Sequence, residues 1–209
     1  MSVLEVMQRE RAALCDTFAE VGPDAPTLCD GWLTADLAAH MVARETRPDA
    51  ALGMFVPPLA KHLDNVMHQL EAKGYEWMVD KLRSGPPFLH RAGPMARANV
   101  NENWIHHEDI RRARGDGPRV LDEETDGILW DSLKLASLIS GRRIKGAGLT
   151  LLTPDSRTRV IKDVQPMVTV TGEPGELVLF MSGRKEAAAV AIDGEPEAIA
   201  IVRATKFGV

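Results

Sequence analysis

Apolar residues recur every three or four positions through the first two thirds of the chain, with charged residues between them. This spacing is typical of helices that bury one face. It predicts a first helix over residues 2–20, which Gly22 terminates. It also predicts a second helix with Thr34 as its N-cap, running to about Arg47 ahead of a proline.

The same spacing predicts three further helices. One covers residues 59–82, with Gly74 as a point of interruption, and the next covers residues 99–112 and ends at a segment rich in glycine and proline. Asp122 is the predicted cap of the fifth helix, which ends before Gly141. Together these helices indicate an up-and-down bundle.

After Gly146 the pattern changes to short β-branched runs bounded by glycine, proline and aspartate, which is typical of strands. The predicted strands cover residues 146–154, 157–163, 166–172 and 187–194, and the predicted helices cover residues 172–184 and 195–205. The expected fold is therefore α+β. A helical bundle of four core helices plus one occupies residues 1–145, and a small α/β domain occupies residues 146–209.

Composition narrows the class of protein. A net charge of −5 and a pI near 5.7 argue against binding to nucleic acid or anionic membranes through a general positive field. No apolar run approaches the roughly 20 residues of a membrane span, and the first turns of the chain carry charges that a signal peptide lacks. With only two cysteines, reduced thiols in the cytoplasm are expected, in a monomer or a homodimer.

Candidate chemistry is concentrated in residues 99–112. Helical spacing places Asn99, Glu102, His106 and Asp109 on one side of the predicted helix, here called the site stripe. Glu108 and Arg112 form a second stripe, which is expected to face solvent. Alone, the Glu102/His106 pair is weak evidence for a metal site, because such pairs are common on solvated helices.

His40 lies among apolar residues of the second predicted helix, between Leu37 and Met41. A single histidine on such a face is most often a core residue bonded to a backbone carbonyl. Together with Glu102 and His106, however, His40 would complete a three-ligand divalent-metal site with an open position. Two imidazoles and one carboxylate suit zinc first, and also iron, nickel or manganese. Asp109 could orient a ligand or a bound water.

Two ordered motifs resemble those of a known superfamily. Residues 29–40, CDGWLTADLAAH, contain the Trp-x-x-x-Asp-Leu-x-x-His pattern of the DinB-like and mycothiol-dependent maleylpyruvate isomerase superfamily, and the pattern ends at His40. Glu102-x-x-x-His106-x-x-Asp109 resembles the second ligand motif of that superfamily. The resemblance implies a metal held by His40, Glu102 and His106, in a bundle followed by a small α/β domain.

The resemblance also implies an activity, in which the open metal position ionises a low-molecular-weight thiol such as mycothiol for isomerisation or transfer. The candidate catalytic residues are Asp109 and Arg184, whose guanidinium could bind a substrate carboxylate or simply close a helix. Cys29 could be a thiol or an extra soft ligand near the site, or a small packed residue. Cys15, His62, His68 and His90 receive no role.

Three hypotheses remain open from the sequence. The first is a metal-dependent, thiol-using isomerase or transferase that acts on a small electrophile. The second is a metal- or thiol-binding module without catalysis. The third is a structural bundle that happens to contain buried histidines.

Overall fold

The computed structural model describes residues 1–54, 56–86 and 93–208. Contacts within the chain divide it into two compact units, Met1–Gly117 and Pro118–Val209. The described residues of the first unit form helices and loops without a β-strand, and the second unit combines helices with a four-stranded sheet. The predicted α+β class is therefore confirmed.

Helices build the first unit. Their bounds lie near the predicted ones except that the helix predicted over residues 99–112 begins at Gly93 and that the short helix Pro48–Ala51 was not predicted. The helices are α1 Val3–Val21, α2 Thr34–Thr46, α3 Pro48–Ala51, α4 Ala60–Glu71, α5 Tyr75–Arg83 and α6 Gly93–Ala113, with 3₁₀ turns at Leu52–Met54 and Pro57–Leu59. Gly74 separates α4 from α5 as predicted, and its φ of 96° is a conformation that glycine adopts without strain.

The start of α2 differs from the prediction by one residue. Leu33, not Thr34, is the N-cap, and its backbone N–H donates to Asp36 Oδ2 at 2.8 Å. The Thr34 hydroxyl instead donates to the carbonyl of Gly22 at 2.5 Å and accepts from the backbone of Ala25 at 3.2 Å. Thr34 therefore ties the loop after α1 to the start of α2.

The core of the first unit lies where α1 packs against α5 and α6, and where α2 packs against α4 and α5. The fully buried apolar side chains include Leu14, Phe18, Leu37, Met41, Met78, Leu82 and Ile110. Burying side chains of this size stabilises a fold by about 1.5–3 kcal/mol each before entropy is subtracted. This packing fixes α2 and α6, which carry the candidate ligands.

The second unit begins with α7 Glu123–Arg143, whose cap Asp122 accepts from the Thr125 backbone at 2.9 Å as predicted. The remaining elements are β1 Gly148–Leu152, β2 Thr158–Lys162, β3 Met167–Thr171, α8 Pro174–Met181, β4 Ala191–Asp193 and α9 Pro196–Ala204. The strand order is β2-β1-β3-β4. β1 and β3 are parallel, while the two outer pairings are antiparallel.

The division of the chain by contacts falls elsewhere than the boundary expected at residues 145/146. Because α7 packs against α8 and β2, it belongs with the second unit. The assignment of residues 1–145 and 146–209 to separate domains of the superfamily type stays a prediction. Among the described helices, none is long and apolar enough to cross a membrane.

Candidate metal centre

Side chains of α2 and α6 contact each other at two successive helical turns. The rings of His40 and His106 have centroids 5.1 Å apart. One turn after His40 on α2, and one turn before His106 on α6, Arg44 Nε lies 3.3 Å from Glu102 Oε2. Because Arg44 follows His40 while Glu102 precedes His106, the two helices run in opposite directions across the site.

The structure brings His40, Glu102 and His106 together, as predicted from the sequence. One ligand atom from each lies within 4.8 Å of the others, and His106 Nε2 is 3.6 Å from Glu102 Oε2. Metal–ligand bonds of about 2.0–2.2 Å require the donor atoms to lie only slightly closer to one another than these distances. Both histidines are buried and Glu102 is partly exposed, so the donor set fits a divalent ion reached from one side.

Asp109 contacts the edge of the His106 ring opposite Glu102. Its Oδ2 lies 2.9 Å from His106 Nδ1, and the carboxylate is completely buried. A carboxylate in this position keeps Nδ1 protonated, so that Nε2, which faces Glu102, is the ring nitrogen that can give up its proton to a metal ion. Asp109 is thus placed to orient His106, the role expected from its position one turn further along α6.

Charges at the site shift the pKa values of two groups. Burial acts to raise the pKa of Glu102, but contact with His106 and the charge of Arg44 outweigh it and lower that pKa to about 2. Burial acts to lower the pKa of His106, but hydrogen bonds with Asp109, Cys29 and Glu102 hold it well above its ordinary value. Glu102 is therefore an anion at neutral pH, as a ligand must be.

Arg44 is a residue of the site that the sequence reasoning missed. Its Nη1 donates to Asn99 Oδ1 at 2.7 Å while its Nε faces Glu102, so one guanidinium orders two members of the site stripe. The available signal was spacing. Arg44 follows His40 by four residues, the same separation as between Glu102 and His106.

The loop before α2 brings Trp32 and Cys29 to the site. The Trp32 ring packs against His40 with centroids 5.1 Å apart and also contacts the core. Cys29 Sγ lies 3.2 Å from Asp109 Oδ2, on the Nδ1 side of His106. Cys29 is therefore placed with Asp109 rather than with His40 and Glu102.

Cys15 lies elsewhere, fully buried in the apolar core. Burial raises the pKa of its thiol to about 11. The two cysteines, both among the described residues, are not joined by a disulfide.

The second stripe does not face solvent, which corrects the expectation from the sequence. Glu108 is completely buried, and its two oxygens accept from Arg111 Nη1 and Arg112 Nε, each at 2.7 Å. The error arose because α6 is buried on nearly all sides from Asn103 to Ile110. His107, next to His106, is also buried and contacts Thr17 Oγ1 at 2.8 Å.

Arg184 belongs to the second unit. Its Nη1 donates to the Ser182 carbonyl at 2.7 Å, just past the end of α8. A role in binding a substrate carboxylate stays a prediction. His62 and His68 are exposed residues of α4, and His90 lies outside the described residues.

Comparison with solved structures identifies a shared fold. The crystal structure of the mycothiol-dependent maleylpyruvate isomerase matches with a TM-score of 0.60 and 17% identity, over 93% of this chain and 95% of that chain. A histidine-to-alanine mutant of that enzyme matches with a TM-score of 0.59 and 16% identity over the same shares. No protein-family model and no curated protein matches this chain.

The chain therefore has the fold of the mycothiol-dependent maleylpyruvate isomerase, a fold that extends over nearly the whole length of both proteins. The resemblance indicated by the two sequence motifs is confirmed at the level of fold.

Proposed function

We propose that this protein binds a divalent metal through His40, Glu102 and His106 and uses it to activate a low-molecular-weight thiol. The observation that carries the proposal is the convergence of these three side chains from antiparallel helices, with their ligand atoms within 4.8 Å of one another. Convergence of this kind between facing helices is how bundle proteins build metal sites.

The charges favour an anionic partner. A divalent ion held by two neutral imidazoles and one carboxylate retains one positive charge, and Arg44 adds another beside Glu102. Buried Asp109 offsets one of the two. A bound ion would supply Lewis acidity that lowers the pKa of a thiol and holds its thiolate. The site is therefore suited to a single thiolate.

Several roles belong to the chain itself. Asp109 keeps His106 in one tautomer, and Arg44 holds Glu102 as an oriented anion. Together with the fold of a mycothiol-dependent isomerase, this supports a thiol-dependent isomerase or transferase that acts on a small electrophile, with mycothiol as the first thiol to test. Zinc is the first metal to expect, and nickel, iron and manganese suit the same ligands.

The first experiment is elemental analysis of protein purified without chelators, followed by metal titration of wild type, His40→Ala and His68→Ala. His68 is the matched control because it is an exposed histidine that belongs to neither candidate ligand group and whose Nδ1 contacts the carbonyl of Asp64. We expect one metal per chain in wild type and in the control, and no binding of Mn²⁺ in the titration of His40→Ala. A wild-type protein that takes up no metal overturns the proposal.

The second experiment measures turnover of maleylpyruvate and related electrophiles with mycothiol present or absent. Turnover that needs both metal and thiol supports the enzyme. A metal-loaded protein without turnover across thiols and electrophiles contradicts catalysis and leaves the metal-binding module. For Arg184, we expect Arg184→Ala to raise KM for carboxylate substrates and to leave the metal content unchanged.

A further inference from the structure

A second group of metal-ligating side chains lies on the opposite edge of His106 from Glu102. Cys29, His106 and Asp109 each offer one ligand atom within 4.8 Å of the other two. Asp109 Oδ2 is the centre of the group, 3.2 Å from Cys29 Sγ and 2.9 Å from His106 Nδ1. Asp109 is completely buried, and His106 is 7% exposed.

The backbone holds Cys29 at this position. The N–H of Leu28 donates to the carbonyl of Asp109 at 3.0 Å, which ties the loop to α6. The Cys29 N–H donates to Thr27 Oγ1 at 3.1 Å, and the Trp32 N–H donates to the Cys29 carbonyl at 3.0 Å. The thiol is therefore placed against Asp109 by fixed hydrogen bonds.

The chemistry of this donor set differs from that of the first. A thiolate, an imidazole and a carboxylate together carry two negative charges, which cancel those of a divalent ion. A neutral complex suits a buried position because net charge is costly to desolvate. The sulfur ligand favours thiophilic ions such as cadmium and zinc, whereas the two imidazoles and carboxylate also accept nickel or manganese.

One histidine serves both groups, through different ring nitrogens. A neutral imidazole has one lone pair, because its other nitrogen carries a proton. When Nε2 binds an ion beside His40 and Glu102, the Nδ1–H group donates a hydrogen bond to Asp109. When Nδ1 binds an ion, Nε2 keeps the one remaining ring proton, and the protons of Nδ1 and of the thiol leave for solvent. The two positions therefore exclude each other.

We propose that Cys29, His106 and Asp109 form a second metal position that takes thiophilic divalent ions and competes with the position formed by His40, Glu102 and His106. Which of the two positions uses His106, and which ion it binds, would then depend on the ions present. This inference goes beyond the proposed function and requires no catalysis.

The test is titration with Cd²⁺, followed by the ultraviolet charge-transfer absorption of a cadmium–thiolate bond. Wild type should bind one Cd²⁺ per chain with this absorption, and Cys15→Ser should behave identically. Cys29→Ser should lose the absorption and bind Cd²⁺ at least about tenfold more weakly. Absence of the absorption in wild type, or its persistence in Cys29→Ser, overturns the proposal.

The variant His40→Ala separates this proposal from the proposed function. It should lose Mn²⁺ binding and retain the cadmium–thiolate absorption. In wild type loaded with Mn²⁺, added Cd²⁺ should release one Mn²⁺ per chain, detected by the magnetic resonance signal of the free ion. If Mn²⁺ and Cd²⁺ stay bound together in one chain, the competition is refuted. If wild type binds Cd²⁺ through Cys29 but never binds Mn²⁺, Ni²⁺ or Zn²⁺ through His40, only the first position fails.

Discussion

Two glutamate–histidine pairs on α6 differ in what surrounds them. Glu102 and His106 face His40 and Arg44, whereas Glu108 and His107 contact Arg111, Arg112 and Thr17. Both histidines are buried to a similar degree, and Glu108 is more buried than Glu102. Burial alone therefore does not identify a metal site. The difference is that the neighbours of the first pair include a further potential ligand.

The largest difference in stability should come from Glu108. In Glu108→Ala, two guanidinium groups lose their buried carboxylate, and we expect the free energy of unfolding to fall by about 3–5 kcal/mol. Glu102→Gln, at the partly exposed carboxylate, should change stability much less and should abolish Mn²⁺ binding. Urea unfolding and elemental analysis of both variants test this contrast. A metal loss in folded Glu108→Gln would contradict it.

The two neighbouring histidines give the next contrast. His106→Ala removes a proposed metal ligand and should lower the affinity for metal by more than about 100-fold, because even outer partners of ligands contribute about 10- to 100-fold. His107→Ala leaves the Thr17 hydroxyl without this contact, and should cost about 1–3 kcal/mol of stability while metal is retained. Isothermal titration with Zn²⁺ distinguishes them. Equal metal affinities would remove the distinction between the two pairs.

Cys15, which belongs to neither pair, should make the stability of the fold depend on pH. The pKa of Cys15 rises from 9.0 to about 11 on folding because the thiol is buried. The unfolded chain therefore loses this proton first as pH rises above 9, so stability should fall between pH 9 and pH 11 and then level off. The loss is at most about 2.7 kcal/mol.

Urea unfolding of wild type and Cys15→Ala at pH 8 and pH 10.5 measures this effect. The decrease between the two pH values should be smaller in the variant. An identical decrease would show that Cys15 does not carry it.

Asp109 should have a smaller effect on metal affinity than His106. Asp109→Asn keeps the shape of the side chain but weakens its hold on His106 Nδ1, so the affinity for Zn²⁺ should fall by about 10- to 100-fold. The fold should persist, as judged by circular dichroism. An unchanged affinity would mean that Asp109 does not orient His106.

The helices and strands could be predicted because local period and capping determine them. Gly74 and Asp122 acted as the sequence suggested. The start of α2 was displaced because the hydroxyl of Thr34 bonds to the Gly22 carbonyl and the Ala25 backbone, contacts that local pattern does not reveal. The grouping of α7 with the sheet likewise depends on packing between distant elements.

For the site, helix phase placed Glu102, His106 and Asp109 on one side, and the motif ending at His40 supplied the facing residue. The prediction that the second stripe faces solvent was wrong because α6 is buried nearly all round. Its buried side chains Trp104, Ile105 and Ile110 lie on three different sides of the helix. Arg44 was missed because a lysine or arginine one turn from a histidine is ordinary on a helix surface.

The pairing of Arg44 with Glu102, and of Asp109 with His106, also bears on how folding depends on metal. Each charged candidate ligand already has a protein partner of opposite charge or a hydrogen bond, so the bundle balances its own charges. Small zinc modules behave differently, because they unfold when chelated. At the proposed metal site a chelator should remove a bound ion and leave the helices intact, so that metals could exchange in the native state and the supply of ions would determine the loading.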